Sequence, residues 1–260
     1  MKKLLPVLRV DREYVSLTRE SVAEEFQLTI FLNDRELVTL ACSPVHMEYL
    51  ALGFLHSEGF IGGRDDVERV VLDDRNGVIR ITIKKELDLD MPFRRLITSG
   101  CGRGLKYYRP SDVSLGRVRS DMKVSPSLIS GLMKEFASSS ETFKETGGVH
   151  SAAFCDAEGV LIFEEDIGRH NALDKVFGRC LLEGLPTQDG IVLTTGRVSS
   201  EVVLKAVRMG VPFLISRSAP TDLAVKLAED LGLTLVGFVR GRRMNVYAHK
   251  ERMIWDTRSL

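Results

Sequence analysis

At 260 residues the chain is long enough to bury a full core, as one large domain or two smaller ones. Its 44% hydrophobic and 28% charged residues are ordinary for a globular protein and exclude wholesale disorder. Lys plus Arg and Asp plus Glu balance at 36 each, which argues against nucleic acid or a membrane surface as partner and leaves room only for local basic patches.

The N-terminus, Met1-Lys2-Lys3-Leu4-Leu5-Pro6-Val7-Leu8-Arg9, starts like a signal peptide, but Pro6 and Arg9 break the apolar stretch. No later run is long and apolar enough to span a membrane, so the expected location is cytoplasmic. The alternating Phe26–Leu32, the turn Asn33-Asp34 and the run Glu36–Ala41 predict a hairpin. Pro44 opens a helix-like segment through His56, with Met47, Leu50, Ala51, Phe54 and Leu55 on one face. Residues 67–72 and 78–83 form a second strand pair. From about Asp88 to Ser125 periodicity fades and Gly, Arg and Ser accumulate, as in a connector carrying a functional loop.

From Pro126 the pattern alternates between helix and strand. Helices are expected at 126–138, 169–183, 199–209 and 220–231, with strands at 150–155, 159–163, 191–195, 213–216 and 233–238. The fold class expected is therefore α/β, a mostly parallel sheet with helices on both faces at 126–260, joined to a smaller strand-rich region at 1–125. In such sheets ligands bind beyond the carboxyl ends of the strands. Three loops there pair Gly or Ser with Arg. Thr195-Gly196-Arg197-Val198-Ser199-Ser200-Glu201 has Ser199 placed as a helix cap, and Ser216-Arg217-Ser218-Ala219-Pro220-Thr221 and Phe238-Val239-Arg240-Gly241-Arg242-Arg243-Met244-Asn245 follow the next two strands. Backbone N–H groups and guanidinium forks converging there favour a phosphate-bearing ligand.

Two further segments are polar: Thr146-Gly147-Gly148-Val149-His150-Ser151 and Glu164 to Lys175. His170 and Asp174 share a helical face, where the carboxylate could fix the imidazole tautomer. The alternative is a helix-start network of caps and ion pairs around Asp166. The four cysteines contain no Cys-x-x-Cys pair. Cys155 and Cys180 sit in apolar runs as small buried hydrophobes. Cys101 differs: in Thr98-Ser99-Gly100-Cys101-Gly102-Arg103-Gly104-Leu105-Lys106, glycines leave the thiol accessible while Arg103 and Lys106 favour thiolate.

Five ordered motifs carry a resemblance. They are Gly-Gly-Val-His-Ser-Ala-Ala at 147–153, Glu-Asp-Ile-Gly-Arg-His-Asn-Ala-Leu-Asp-Lys at 165–175, Gly-Arg-Val-Ser-Ser-Glu at 196–201, Ser-Arg-Ser-Ala-Pro-Thr at 216–221 and Gly-Phe-Val-Arg-Gly-Arg-Arg-Met-Asn-Val-Tyr at 237–247. With Leu52-Gly53-Phe54-Leu55-His56-Ser57-Glu58-Gly59 and the Cys101 loop, the chain resembles the FdhD-type accessory proteins over most of its length. The resemblance implies a cytidine deaminase-like fold and a persulfide relay. A cysteine desulfurase loads Cys101, which passes sulfur to the molybdenum cofactor, bis-molybdopterin guanine dinucleotide, before its insertion into formate dehydrogenase. It also implies cofactor contact at residues 238–243, GDP or a related guanine nucleotide as a mimic, and, by analogy, a homodimer.

Well-known members carry Cys-x-x-Cys in the loop where this chain has Cys101-Gly102-Arg103-Gly104, so an intraloop disulfide is excluded while single-thiolate transfer is not. The rival expectation is a non-catalytic cofactor chaperone in which Cys101 is dispensable. The fold likeness raises zinc deamination, but His150 is followed by Ser151-Ala152 and no Cys-x-x-Cys exists, so no metal site is expected.

Overall fold

The computed structural model describes residues 1–84 and 116–255. Cys101, its loop and most of the expected connector lie outside the described residues.

Strands β1 (Lys2–Asp11) and β2 (Tyr14–Ala23) form an antiparallel ribbon that turns through Arg12, whose φ is 54°. The sequence reading assigned no structure here. Next come β3 (Phe26–Leu32) and β4 (Arg35–Cys42), the expected hairpin. Asn33 and Asp34 both have positive φ, the twist-matching turn that Asn and Asp tolerate. With β5 (Val67–Asp73) and β6 (Val78–Ile83) they make a sheet of order β4-β3-β6-β5. Its alternating Leu28, Ile30, Leu32, Ile79, Ile81 and Ile83 are buried beneath α1 (Met47–Ser57). This helix starts three residues later than Pro44, because His46 enters the left-handed region (φ 52°) at its N-cap.

In the remainder, α2 (Pro126–Ser139) and α3 (Glu141–Thr146) precede β7 (His150–Cys155), β8 (Val160–Asp166) and α4 (Arg169–Glu183). Then follow β9 (Ile191–Thr194), α5 (Ser200–Arg208), β10 (Phe213–Ser216), α6 (Asp222–Leu231), β11 (Thr234–Arg240) and β12 (Arg243–Ala248). The sheet order is β12-β11-β10-β9-β7-β8. Only β9, β10 and β11 are mutually parallel; β7, β8 and β12 pair antiparallel. The sheet is thus mixed rather than mostly parallel, because two connections are hairpins too short for a crossover. Asp156 Oδ1 accepts from the N–H groups of Glu158 and Gly159 in the first, at 2.7 and 3.0 Å. Gly241, with φ 58°, turns the second, so the expected open loop at 238–245 is a hairpin tip.

Helices α4, α5 and α6 bury one face of this sheet and α2 the other. Strand alternation assigns side chains between them: Ala152, Val192 and Leu214 face α4–α6, while Ala153, Leu193 and Ile215 face α2. Cys155 and Cys180 are buried as expected, and burial pushes both thiols up to about 12; Cys42 is buried and shifted likewise.

The first sheet is joined to the second through α1 against α4. Their backbones touch where a Cβ on Gly53 would lie 1.8 Å from the Asp174 carbonyl oxygen, and one on Gly178 would lie 1.9 Å from that of Tyr49. Gly178→Ala must therefore push the helices apart. Overpacking of this kind costs about 1–3 kcal/mol, which urea unfolding would register as a lower midpoint; an unchanged midpoint would contradict the crossing.

Candidate functional site

The carboxyl ends of β9, β10 and β11 are laced together by their own loops. The Ser216 hydroxyl donates to the Gly196 carbonyl at 2.7 Å and accepts from the Ser218 N–H at 2.9 Å. The Ser218 hydroxyl donates to the Thr195 carbonyl at 2.9 Å, and the Phe238 N–H donates to the Ser218 carbonyl at 3.1 Å. Ser216 and Ser218 therefore fix loop geometry. Phe238 adopts a φ of 54°, and beside it a Cβ on Gly237 would make tight contacts of 3.1 Å with Pro220, Ser218 and Tyr247.

On the α2 side this edge opens into a cleft of about 420 Å³. Arg217, Val239, Arg240, Gly241 and Arg242 line it from the strand ends, and Ser130, Met133 and Lys134 line it from α2. Five of the residues expected to bind cofactor thus share one wall. Val239 is fully buried and serves as apolar floor, whereas Arg217, Arg240 and Arg242 are exposed. Among the described residues no carboxylate forms an ion pair with any of these three or with Lys134. A half-enclosed cavity with uncompensated guanidinium groups and an apolar floor suits an anion attached to a flat ring. Arg243 pairs across the hairpin with Arg240 and does not line the cleft. Sequence reasoning missed Lys134; only the exposed face of α2 could have suggested it.

On the opposite face a second group assembles. β7 runs antiparallel to β9, so His150 at its start meets the loop after β9, with Nδ1 3.3 Å from Thr195 Oγ1. Burial, and then the charges of Arg169 and Arg197, pull His150 below the usual histidine range, so its ring is neutral at pH 7. Arg169 opens α4 with its stem against Gly196, where a Cβ would lie 2.8 Å from its own. Ser199 occupies the N-cap of α5 as expected, but its side chain makes no cap bond.

His170 lies here too. Its Nε2 is 3.6 Å from Glu201 Oε2 on α5, rather than on Asp174 as the spacing suggested. Asp174 is turned inward to Lys205, whose Nζ donates to both carboxylate oxygens at 2.8 and 2.7 Å, and it also accepts from Ser57 Oγ at 2.7 Å. Burial pulls on Lys205, but Asp174, Glu58 and Glu201 more than offset it and hold the ammonium above its ordinary value. Burial pushes Asp174 up, and burial pushes Glu58 up to about 7 against the pull of Lys205. Burial and the Arg208 charge bring His56 down to about 4.

The helix-start network around Asp166 is present. Its carboxylate takes Lys175 Nζ at 2.7 Å and the Ser43 N–H at 3.0 Å away from solvent, and the Gly168 N–H at 3.0 Å and Asn171 Nδ2 at 2.9 Å in part-buried contacts. This joint fastens the first sheet to the second and leaves no atom of Asp166 for a ligand.

The family model described as the FdhD/NarQ family matches residues 23–254. The sulfur carrier protein FdhD of Bacillus subtilis (strain 168) is 44% identical over 250 residues, covering 95% of each chain. That of Staphylococcus aureus (strain Newman) is 38% identical over 252 residues, covering 96% of this chain and 95% of its own. A crystal structure provisionally assigned as a formate dehydrogenase accessory protein of Desulfotalea psychrophila superposes with a TM-score of 0.79 at 28% identity, covering 97% of this chain and 99% of that one. The resemblance carried by the strand-end motifs extends through both sheets, and the chain belongs to the FdhD/NarQ family.

Proposed function

We propose that the protein is a sulfurtransferase of the persulfide-relay type. It accepts sulfur from a cysteine desulfurase on Cys101 and passes it to the molybdenum cofactor, bis-molybdopterin guanine dinucleotide, before that cofactor enters formate dehydrogenase. The relatives' name, sulfur carrier protein, supports the sulfur role, and the neighbour's assignment supports the client enzyme. In the loading step the Cys101 thiolate attacks the terminal sulfur of the desulfurase persulfide. A new S–S bond forms and the desulfurase thiolate leaves, which needs no further oxidant or reductant.

The observation that carries the cofactor half of this reading is the arginine-lined cleft beside α2. A guanine dinucleotide presents diphosphates to Arg217, Arg240 and Arg242 and a flat purine to the apolar floor at Val239. The cofactor is cargo, so the residues bind and orient it while Cys101 supplies the chemistry. A cytidine deaminase-like fold, a homodimer and a cytoplasmic location belong to the same proposal.

The test is calorimetry with GDP as the cofactor mimic. Arg240→Ala should lose a charged hydrogen bond of about 1.5–3 kcal/mol, weakening binding roughly 10- to 150-fold. Unchanged affinity would remove Arg240 and its cleft from the site.

A further inference from the structure

The strand ends carry cationic groups on both faces of the sheet, and the cleft beside α2 uses only one. On the other face, Arg169, Arg197 and the neutral ring of His150 gather around the loop Thr195-Gly196. Helices α4 and α5 both begin at this point, neither with a side-chain cap at its N-cap residue, so two sets of first-turn N–H groups open here. Two donors are also left over: Arg169 Nε and Ser199 Oγ are fully enclosed, yet neither has a hydrogen-bond partner among the described residues. Enclosed donors without acceptors are costly and rare. Glu201 is the acidic member of the neighbourhood, and its carboxylate lies towards His170 and Lys205.

We propose that Arg169, Arg197, Ser199 and His150 form a second oxyanion site that takes a phosphoryl group, separate from the arginine cleft beside α2. This rests on the reading that the protein binds a ligand carrying diphosphates, and it deepens that reading: a ligand with two spaced anionic groups lies across the ends of β9 and β10 and engages both faces. Arg169 and Ser199 satisfy their enclosed donors on the anion, and His150 donates a ring N–H to it.

The chain has five histidines, so a histidine-ring NMR spectrum is simple to resolve, and His150→Gln assigns the reporter signal. Inorganic pyrophosphate is the probe. With GDP already saturating the full-length protein, added pyrophosphate should still shift the His150 signals saturably, because two sites fill independently. Arg169→Ala and Arg197→Ala should each weaken this response at least tenfold, Arg169→Lys should restore part of it, and Arg240→Ala should leave it intact. Thermal melts matching the wild type establish that the variants are folded.

Pyrophosphate that only competes with GDP would overturn the second site, as would a His150 response lost in Arg240→Ala and kept in the Arg169 and Arg197 variants. If GDP fails to bind while pyrophosphate still shifts His150, the cofactor reading of the α2 cleft fails and the oxyanion site stands.

Discussion

Lys205→Ala is expected to cost about 3–5 kcal/mol of folding stability, the usual consequence of removing one partner from a buried ion pair. Lys205 is 3% exposed and Asp174 2% exposed, and the two share a doubly hydrogen-bonded contact with Glu58 3.8 Å away. Without the ammonium, two carboxyl groups remain in a pocket closed by α1, α4 and α5. Lys205→Ala with Asp174→Asn should recover part of the loss by relieving the uncompensated charge.

The pH dependence follows from Glu58. Its folded pKa, about 7, lies above the unfolded value, so both states are protonated below about pH 4 and the group has no effect there. As pH rises towards 7 the unfolded chain gives up this proton and the folded chain retains it. Glu58 therefore removes roughly 3 kcal/mol of stability between about pH 4 and pH 7. Removing Lys205 pushes Glu58 higher still, so the penalty of Lys205→Ala should be larger at pH 8 than at pH 5. Urea unfolding at the two pH values measures it. A loss below about 1 kcal/mol, or one independent of pH, would contradict the buried-cluster assignment.

Much of this architecture was legible because local signals agreed with tertiary ones. His150–Cys155, Arg169–Glu183 and Phe213–Ser216 lie where periodicity placed them, since each is an apolar run bounded by Gly, Ser or charged residues. The antiparallel turn from β7 to β8 was implicit in the three residues between their expected strands, too few for a crossover, whereas β12 was read as loop and its hairpin with β11 was not legible. The arginine loops were found from sequence, but their division between two sheet faces depends on which side of a strand each loop leaves. Lys134 was invisible because α2 meets β11 only in three dimensions. His170 was paired with Asp174 by spacing alone. Lys205, on another helix, captures that carboxylate because a buried aspartate takes the nearest cation.

The chemistry assigned to Cys101 can be isolated because the other three cysteines are chemically quiet. Cys42, Cys155 and Cys180 are buried with thiols pushed up to about 12, so at neutral pH on the order of one in 10⁵ of each is thiolate. Thiolate is the species that attacks a persulfide. Cys101, flanked by glycines with Arg103 and Lys106 nearby, carries the sequence features of an accessible, activated thiol. Its loss should therefore abolish sulfur loading altogether rather than redirect it to another cysteine.

The deciding measurement is the intact mass of the protein after incubation with an active cysteine desulfurase and cysteine, for the wild type and for Cys101→Ala. Sulfur added to the wild type, released by a thiol reductant and missing from the variant, is the predicted result. Equal loading of the variant, or no loading of either, would contradict the assignment of Cys101 as the sulfur carrier.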